Sequence, residues 1–374
     1  MKTLIYHDTF LMKWWAERMN IEIAKILHAD IATAIWKDDC YDARSMGFDK
    51  KIIEVHPSFK RWMLGFLKMK LAFFLSSIPN QYEAVLFSNE AITGIHRVPK
   101  NIKTFYYAHS ISRHLFDLED IYRNKVIWYM RFIFIIANTF FRILYIYELK
   151  KVWTLFVNSS ANKKRIEEWI GRNDAIILSP PVDTSTFFPY KQEEIAPYTS
   201  ALWLEYKNYY ISFARLTHIK RIDSIIEAFK ELKDKKVLIL YGTYDSQKDE
   251  FMESWKGHKN IIFHHLNDNS QLPFFISGAI ASLAISKQED FWMVAIESMA
   301  CGVPVIAVEE GWYIESMIPE KTGMFISENY TSKELQEAVQ KMNYSLSLSM
   351  QESCRERAQK YSLTAFRENL LKYI

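Results

Sequence analysis

The stretch from Ile280 to Val308 constrains the fold more than any other part of this 374-residue chain. Its apolar run from Ala281 to Ile285 predicts a buried strand, Met293 to Cys301 predicts a helix, and Val303 to Val308 predicts the next buried strand. Two buried strands joined through one helix form a unit of a parallel sheet. We therefore predict an α/β fold.

Two acids, Glu289 and Glu297, lie around the start of the predicted helix. Parallel sheets bind ligands at the carboxyl ends of their strands, and the free N–H groups of a following helix attract anions. Glu297 lies about a turn and a half into the helix, so the two acids cannot contact the same ligand atom. A sugar nucleotide, with phosphates between hydroxylated rings, fits this spacing. A surface acid and an unrelated helix-face acid fit it equally well.

A second segment places two cations before a helix. Tyr209 to Arg215 predicts a strand, and Arg221 to Leu232 predicts an amphipathic helix. Arg215 ends the strand and Lys220 precedes the helix, where the helix dipole disfavours cations unless an anion is bound. The pair therefore indicates a phosphate site, with an ordinary solvated pair as the alternative.

Together these segments resemble the retaining glycosyltransferases of the two-domain GT-B type, which include the glycosyltransferase 4 family. The most specific match is the acid pair within EDFWMVAIESMACGVPVIA, and FARLTHIKRIDSIIEAF resembles the family's donor-phosphate motif. The segment YYAHSISRHLFDLEDIY is similar to one in the mannosyltransferases that use GDP-mannose. The resemblance implies two Rossmann-like domains that face each other across a deep cleft.

The resemblance also implies roles for individual residues. Arg215 and Lys220 would bind the pyrophosphate, Glu289 the hydroxyls of the transferred sugar, Glu297 the ribose, and His109 the donor sugar from the other domain. The implied catalytic residues are His109, Glu289, Arg215 and Lys220, and the implied donor contacts also include Phe291, Trp292, Met293 and Glu297. A histidine after a strand is also a common turn residue, and that alternative stays open for His109.

Tryptophans occur where the family carries glycine. Trp14 and Trp15 precede Ala16-Glu17-Arg18 in place of a glycine pair, and Trp292 and Trp312 replace two further glycines. Glycine lets a backbone approach a ligand closely, which an indole cannot do in the same geometry. We therefore expect the tryptophans at ligand-facing positions and a reshaped acceptor side. The acceptor-side candidates are Trp14, Trp15, Arg18 and His109.

Length and proline placement predict two domains. The chain is too long for one core, and two prolines at Ser179-Pro180-Pro181 bar both helix and central strand. We predict an acceptor-binding Rossmann-like domain over residues 1–180 and a domain for the nucleotide-sugar over 181–361. By resemblance, a C-terminal helix over 362–374 crosses back to the first domain.

Charge divides unevenly between the two halves. Residues 1–180 carry 26 Lys+Arg against 18 Asp+Glu, a net charge of +8, and the remainder carries 21 against 26, a net charge of −5. Basic residues are mixed with apolar ones in 60–78 and 123–151, which we interpret either as segments that lie on an anionic membrane surface or as core helices. Arg131 and Arg142 leave ten uninterrupted residues, short of the roughly 20 that a span needs. A moderate pI and an acidic second half argue against nucleic acid.

The N-terminus and the cysteines indicate a cytoplasmic protein, peripheral on the inner face of the cytoplasmic membrane if the basic segments bind there. Lys2 to Tyr6 runs directly into a first strand without a leader-like apolar region, and three cysteines without paired spacing fit a reducing compartment. His264 and His265 point to opposite faces of a strand, and no acid-x-acid motif ends a strand. We therefore expect neither a metal nor another cofactor.

The resemblance implies a retaining hexosyltransferase of the EC 2.4.1 type, which we expect to be metal-independent. By resemblance it moves mannose from GDP-mannose to a saccharide or lipid-linked acceptor in the synthesis of a polysaccharide, lipopolysaccharide or other surface glycan. Arg215 and Lys220 would stabilise the departing phosphate, which can itself take the acceptor's proton. A non-catalytic GT-B relative that acts as an assembly partner, and a sugar-nucleotide epimerase or hydrolase on the same fold, are the alternatives.

Overall fold

The computed structural model divides into two compact units. Unit 1 comprises Met1–Ser179 with Asn369–Ile374, and unit 2 comprises Pro180–Glu368. The structure describes residues 1–11, 15–36, 40, 43–44, 46–55, 65–79, 81–242, 251, 257–287 and 293–374, with the backbone alone for 65 and 66.

Unit 1 is built on a parallel sheet in which the described strands are ordered β3-β2-β1-β4-β5-β6-β7. The strands are β1 (Thr3–Phe10), β2 (Asp30–Trp36), β3 (Ile52–Glu54), β4 (Ala84–Ser88), β5 (Lys103–Ala108), β6 (Thr154–Val157) and β7 (Ile176–Ile177). The helices are α1 (Trp15–Leu27), α2 (Gly65–Leu75), α3 (Glu119–Lys125), α4 (Arg131–Lys151) and α5 (Ser160–Arg165), with a long 3₁₀ segment at Asn89–Arg97.

Unit 2 repeats this plan with the described strands ordered β10-β9-β8-β11-β12-β13. The strands are β8 (Tyr209–Phe213), β9 (Lys236–Tyr241), β10 (Ile261–His265), β11 (Ser282–Ala284), β12 (Val305–Val308) and β13 (Gly323–Ile326). The helices are α6 (Gln192–Thr199), α7 (Ile222–Glu231), α8 (Leu272–Ser277), α9 (Met293–Ala300), α10 (Trp312–Ser316), α11 (Ser332–Lys341), α12 (Tyr344–Gln359) and α13 (Leu363–Leu371).

Both sheets have the doubly wound order of a Rossmann fold, so the predicted α/β class with two Rossmann-like domains is confirmed. The strand order reverses between β1 and β4 in unit 1 and between β8 and β11 in unit 2. Ligands of such sheets bind outside the carboxyl ends of the strands at that reversal. Each unit therefore has one expected ligand-binding edge.

The strand-helix-strand unit predicted from Ile280 to Val308 forms as β11, α9 and β12. The strands β11 and β12 pair in parallel, and all of their residues are buried. Gly302 follows α9 with φ of 70°, a left-handed conformation that favours glycine, and turns the chain into β12. The helix and both strands form as predicted, with strands that are shorter than the apolar runs suggested.

The C-terminal residues return to unit 1. Asn369–Ile374 belong to that unit, and the ring of Tyr373 packs edge-on against Phe156 of β6 with centroids 6.0 Å apart. Within unit 2, Val182 donates a backbone hydrogen bond of 2.8 Å to Tyr361, just before α13.

Helix α4 is exposed along much of its length. The segment Trp128–Lys151 has the length and apolar composition that a membrane crossing needs, with a mean hydropathy of 1.6, and 22% of its most apolar stretch is buried in the protein. The core-helix interpretation of this segment holds for one face only, because Tyr145 and Leu149 lie in the core of unit 1 while the large apolar side chains of the other face are exposed.

Candidate functional site

The ligand-binding edge of unit 1 brings together polar side chains from three strands and one helix. The register pairs His7 of β1 with Ser88 of β4, and Ser88 with Tyr107 of β5. His109 follows β5 directly. The side chains of His7, Ser88 and His109 are almost fully buried. Parallel pairing thus gathers residues that are far apart in the chain.

Asn20 of α1 connects these strands. Its Nδ2 lies 2.8 Å from the carbonyl oxygen of Ala16 and 2.9 Å from His109 Nε2, and at longer distances from Ser88 Oγ and His7 Nδ1. An amide nitrogen has two hydrogens, and the two shortest contacts account for them. The Ser88 Oγ and His7 Nδ1, 3.1 Å apart, then form a hydrogen bond with each other.

These contacts define the state of His109. Burial, with His7 nearby, lowers the pKa of His109 well below its ordinary value, so the imidazole is neutral. Because Nε2 accepts from Asn20, Nδ1 carries the proton, an assignment inferred from the network. Among the described residues, Nδ1 has no hydrogen-bond partner. It is a buried donor that the described residues leave unsatisfied.

Of the acceptor-side candidates, Trp15 lies beside His109. The two rings meet edge to face with centroids 4.9 Å apart, and Trp15 is half-buried at the start of α1. Arg18 is half-buried one turn further along. Trp14 lies outside the described residues.

Two carboxyl groups at this edge were not predicted as site residues. Burial, reinforced by the neighbouring Asp8, raises the pKa of Glu17 to about 7. Burial also raises the pKa of Asp8, while His7 and hydrogen bonds from Thr9 and Asn89 oppose that shift. Glu17 stands in the Ala-Glu-Arg segment and Asp8 near the end of β1, so their positions offered a signal.

A cavity of about 340 Å³ opens at the same edge. It is lined by Asp8, Asn89, Glu90, Ser110, Ile111, Ser112, Arg113, His114, Leu118 and Tyr122. Glu90 Oε2 lies 2.6 Å from Lys70 Nζ, and Ser112 donates to Glu90 Oε1 at 2.8 Å. Burial alone would raise the pKa of Glu90, but Lys70 and Ser112 outweigh it and hold that pKa below its ordinary value. The lining offers donors and acceptors that suit hydroxyl groups.

The ligand-binding edge of unit 2 carries the two predicted cations. Arg215 lies two residues beyond β8 and is exposed, whereas Lys220 is 7% exposed in a 3₁₀ turn, His218–Lys220. Arg221 follows with φ of 53° and begins α7, where its guanidinium lies 5.2 Å from the ring centre of Tyr330. The amphipathic helix α7 buries its apolar face as predicted. Both cations therefore occur between the end of a strand and the start of a helix.

The remaining donor-side predictions are partly described. Met293 and Glu297 lie on the first two turns of α9, and both are half-buried. Glu289, Phe291 and Trp292 lie outside the described residues.

The expectation that Trp312 faces a ligand is wrong. Trp312 is 1% exposed, and its ring packs edge to face against Tyr361 with centroids 5.6 Å apart. It belongs to the core of unit 2, because α10 turns this side chain inward after Gly311.

Metal ligands do not cluster within the described part of the chain, where no group of three or more His, Cys, Asp or Glu side chains could hold an ion. The cysteines 40, 301 and 354 are all buried. Metal independence stays a prediction.

Comparison with known proteins identifies glycosyl transferases as similar to unit 2. Residues 200–361 match the family model described as glycosyl transferases group 1. A probable sucrose-phosphate synthase of Thermosipho melanesiensis is 30% identical over 203 residues, which cover 50% of this chain and 44% of that protein. The mouse α-1,3/1,6-mannosyltransferase ALG2 is 26% identical over 153 residues, which cover 38% of this chain and 37% of that protein. The matches thus span less than half the length of either relative.

A solved structure extends the similarity to the whole fold. Anabaena Alr3699/HepE in complex with UDP-glucose matches 100% of this chain and 99% of its own, with a TM-score of 0.73 and 15% sequence identity. At this identity the likeness concerns the fold alone. This chain therefore has the GT-B fold of that protein, and its second unit is similar in sequence to the group 1 glycosyl transferases.

Proposed function

We propose that this protein is a retaining hexosyltransferase that moves a sugar from a nucleoside diphosphate donor to a hydroxyl acceptor. One observation carries the proposal: Arg215 and Lys220 lie between the end of β8 and the start of α7, within the residues that match the glycosyl transferases. A helix N-terminus with two cations binds a diphosphate through charge and N–H groups together.

The reaction follows from this placement. When the sugar leaves, negative charge grows on the departing phosphate, and cations already in place stabilise it without reorganisation. Lys220 is suited to this because its burial limits competition from water. In this proposal the acceptor hydroxyl attacks on the face from which the phosphate leaves, so no carboxylate nucleophile is required. The departing phosphate takes the acceptor's proton, so no separate base is required either. Retention of configuration is part of the proposal.

Unit 1 would bind the acceptor. The neutral His109 offers an Nδ1 hydrogen to a sugar hydroxyl, and the half-buried Trp15 beside it offers an apolar ring face or edge to a sugar ring. The cavity lined by Asp8 and Asn89 adds acceptors for hydroxyl hydrogens. These groups suit an uncharged, hydroxyl-rich substrate such as a saccharide, either free or linked to a lipid.

We propose that the donor is GDP-mannose, with mannose as the transferred sugar and guanine as the base. The resemblance of YYAHSISRHLFDLEDIY and the mannosyltransferase named among the relatives support mannose. The UDP-glucose bound to the structural neighbour supports uracil as the competing base. The reaction would take place in the cytoplasm, without a metal ion, during synthesis of a surface glycan.

Thermal unfolding of the purified chain with GDP, UDP, ADP, GDP-mannose and UDP-glucose tests the proposal, with and without Mg²⁺. A ligand that binds the folded state stabilises it by roughly 2.7 kcal/mol at a hundredfold excess over its Kd. We expect one nucleotide family to raise the transition of wild type and of Arg355→Ala, an arginine on α12, and to leave Arg215→Ala unchanged.

Mass spectrometry of the products then separates the alternatives. Transfer to an added saccharide acceptor supports the transferase, whereas release of free sugar or formation of an epimer supports the other enzymes. Absence of a response to every nucleotide contradicts the proposal and favours a non-catalytic assembly partner.

A further inference from the structure

Helix α4 exposes an apolar face and buries polar groups, the reverse of an ordinary surface helix. Its outward stripe, at helical spacing, is apolar and runs through Phe132, Ile136, Phe140, Ile143 and Tyr147, which are 50% to 72% exposed. A helix that is apolar on every side is normally buried, and contiguous exposed apolar surface marks an interaction site. Something other than water is expected to cover this stripe.

The inward face of the same helix carries the polar groups. Asn138 is 4% exposed and Glu148 is fully buried, with Glu148 Oε1 3.1 Å from His96 Nε2. Tyr145 Oη lies 3.2 Å from Tyr106 Oη in the core of unit 1. These contacts anchor α4 to the unit, and a membrane crossing would break them in an environment that offers no replacement. The helix is therefore able to lie on a bilayer but not to cross it.

A second apolar stripe adjoins the first. On α2, Leu67, Leu71, Phe74 and Leu75 are 39% to 48% exposed. The ring of His96 lies between the two helices, 5.6 Å from the ring of Phe74 and stacked on Tyr147 at 5.9 Å. The two stripes, joined at His96, form one surface that we call the apolar platform.

Apart from Glu119 and Asp120, which pair with Arg142 and Arg123, the exposed charges along α4 and its flanks are positive. From Ile121 to Trp153, a stretch that the structure describes completely, the one carboxylate is the buried Glu148. Lys125, Lys150 and Lys151 are exposed in this stretch. Two exposed tryptophans, Trp128 and Trp153, flank α4 at its two ends, as is common where a helix lies at a lipid–water interface.

We propose that the apolar platform docks on the surface of an anionic lipid bilayer, with α4 lying in the plane of the interface. The apolar stripe enters the acyl boundary, while the lysines contact anionic headgroups. A second copy of the chain fits less well, because a symmetric contact through α4 would bring the lysines at its end together, and α4 itself carries no exposed carboxylate to pair with them. The proposal does not depend on the catalytic assignment.

Sedimentation of the full chain with vesicles tests the docking. Vesicles of phosphatidylcholine alone are compared with vesicles that also contain phosphatidylglycerol. We expect strong binding to the anionic vesicles that weakens in salt, and a loss of roughly a hundredfold in partitioning for the triple variant Phe132→Ser/Ile136→Ser/Phe140→Ser. Lys150→Gln/Lys151→Gln should lose most of the preference for anionic vesicles and keep the weaker apolar binding.

Controls keep the outcome specific. Trp203→Ser replaces an 86% exposed aromatic residue in unit 2 and should bind as wild type does. All substitutions are at exposed positions, so the thermal transitions should coincide. Wild-type binding by the triple variant overturns the proposal. A dimer that dissociates in the triple variant without any vesicle binding assigns the platform to a second copy, and resistance to alkaline extraction from membranes assigns α4 to a span.

Discussion

The expected ligand-binding edges of the two units carry different chemical groups, although the sheets have the same order in their first six strands. In unit 2 the edge carries the cations Arg215 and Lys220. In unit 1 it carries Asn20 and His109, which are buried and uncharged. A charged diphosphate needs a counter-charge, whereas sugar hydroxyls need directed donors and acceptors at fixed positions. In the proposed reaction, unit 2 would balance the charge of the donor, and the Asn20–His109 network of unit 1 would orient neutral hydroxyl groups.

The largest effect should come from removing charge in unit 2. We predict that Lys220→Ala lowers kcat/KM for sugar transfer by roughly a hundredfold to a thousandfold, as loss of one group that stabilises transition-state charge does elsewhere. Lys230→Ala, at the far end of α7 in a pair with Glu227, should leave the rate unchanged. Steady-state kinetics with matched thermal unfolding measures both. Normal turnover by Lys220→Ala would remove the charge-balancing role from unit 2.

In unit 1, removing a charge should stabilise the protein, whereas in unit 2 it should lower the activity. The pKa of Glu17 is raised to about 7 by burial, so the folded state binds a proton more tightly than the unfolded state does. Stability therefore falls as pH rises from the ordinary value of 4.5 to about 7, and then stays level. We predict that Glu17→Gln is more stable than wild type by about 2 kcal/mol at pH 8, and that the difference disappears near pH 4.

Chemical denaturation at several pH values measures this difference. Glu337→Gln, at an exposed position on α11, should show no such trend. An equal difference at every pH would mean that packing rather than ionisation distinguishes the variant.

The fold could be predicted from the sequence because the spacing of apolar residues and the positions of loops and glycines are local features of the chain. The apolar runs that became β8, β11 and β12 are interrupted by loops and by Gly302, and that pattern predicts a parallel sheet without tertiary information. The cations at β8 were predictable for the same reason, since they stand where an apolar strand stops.

The unit 1 network could not be predicted because its contacts are distant in sequence. Asn20 and His109 lie 89 positions apart, and their contact depends on the register of three strands. Trp312 shows the opposite failure, since its replacement of a glycine suggested a ligand contact and its packing on Tyr361 decides otherwise. The outward face of α4 was also hidden, because an apolar pattern does not show which side is covered.

The neutral network of unit 1 can be tested through Asn20. We predict that Asn20→Asp lowers kcat for transfer by roughly tenfold and leaves donor binding intact, because the new carboxylate favours the charged form of His109. In wild type, the lowered pKa of His109 keeps activity level as pH falls through 6.5, the ordinary histidine value. In Asn20→Asp the acid limb should move to higher pH.

Rate profiles against pH separate orientation from simple damage. Asn138→Asp alters another buried asparagine of unit 1 outside this network and should not move the acid limb. Coincident profiles for wild type and Asn20→Asp would show that the protonation of His109 has no part in transfer.

The smallest effect should come from the aromatic neighbour. Trp15→Phe keeps an apolar ring near His109 but reduces the contact area between the two rings, whose centroids now lie 4.9 Å apart. Such ring pairs contribute about 0.5–1.5 kcal/mol, so we predict a rise of roughly two- to tenfold in KM for the acceptor with kcat nearly unchanged. Trp203→Phe, in unit 2, should change neither value. If the KM for the donor rises instead, Trp15 contacts the donor rather than the acceptor. The contrast between the two units would then fail, because only the donor carries the charged diphosphate in the proposed reaction.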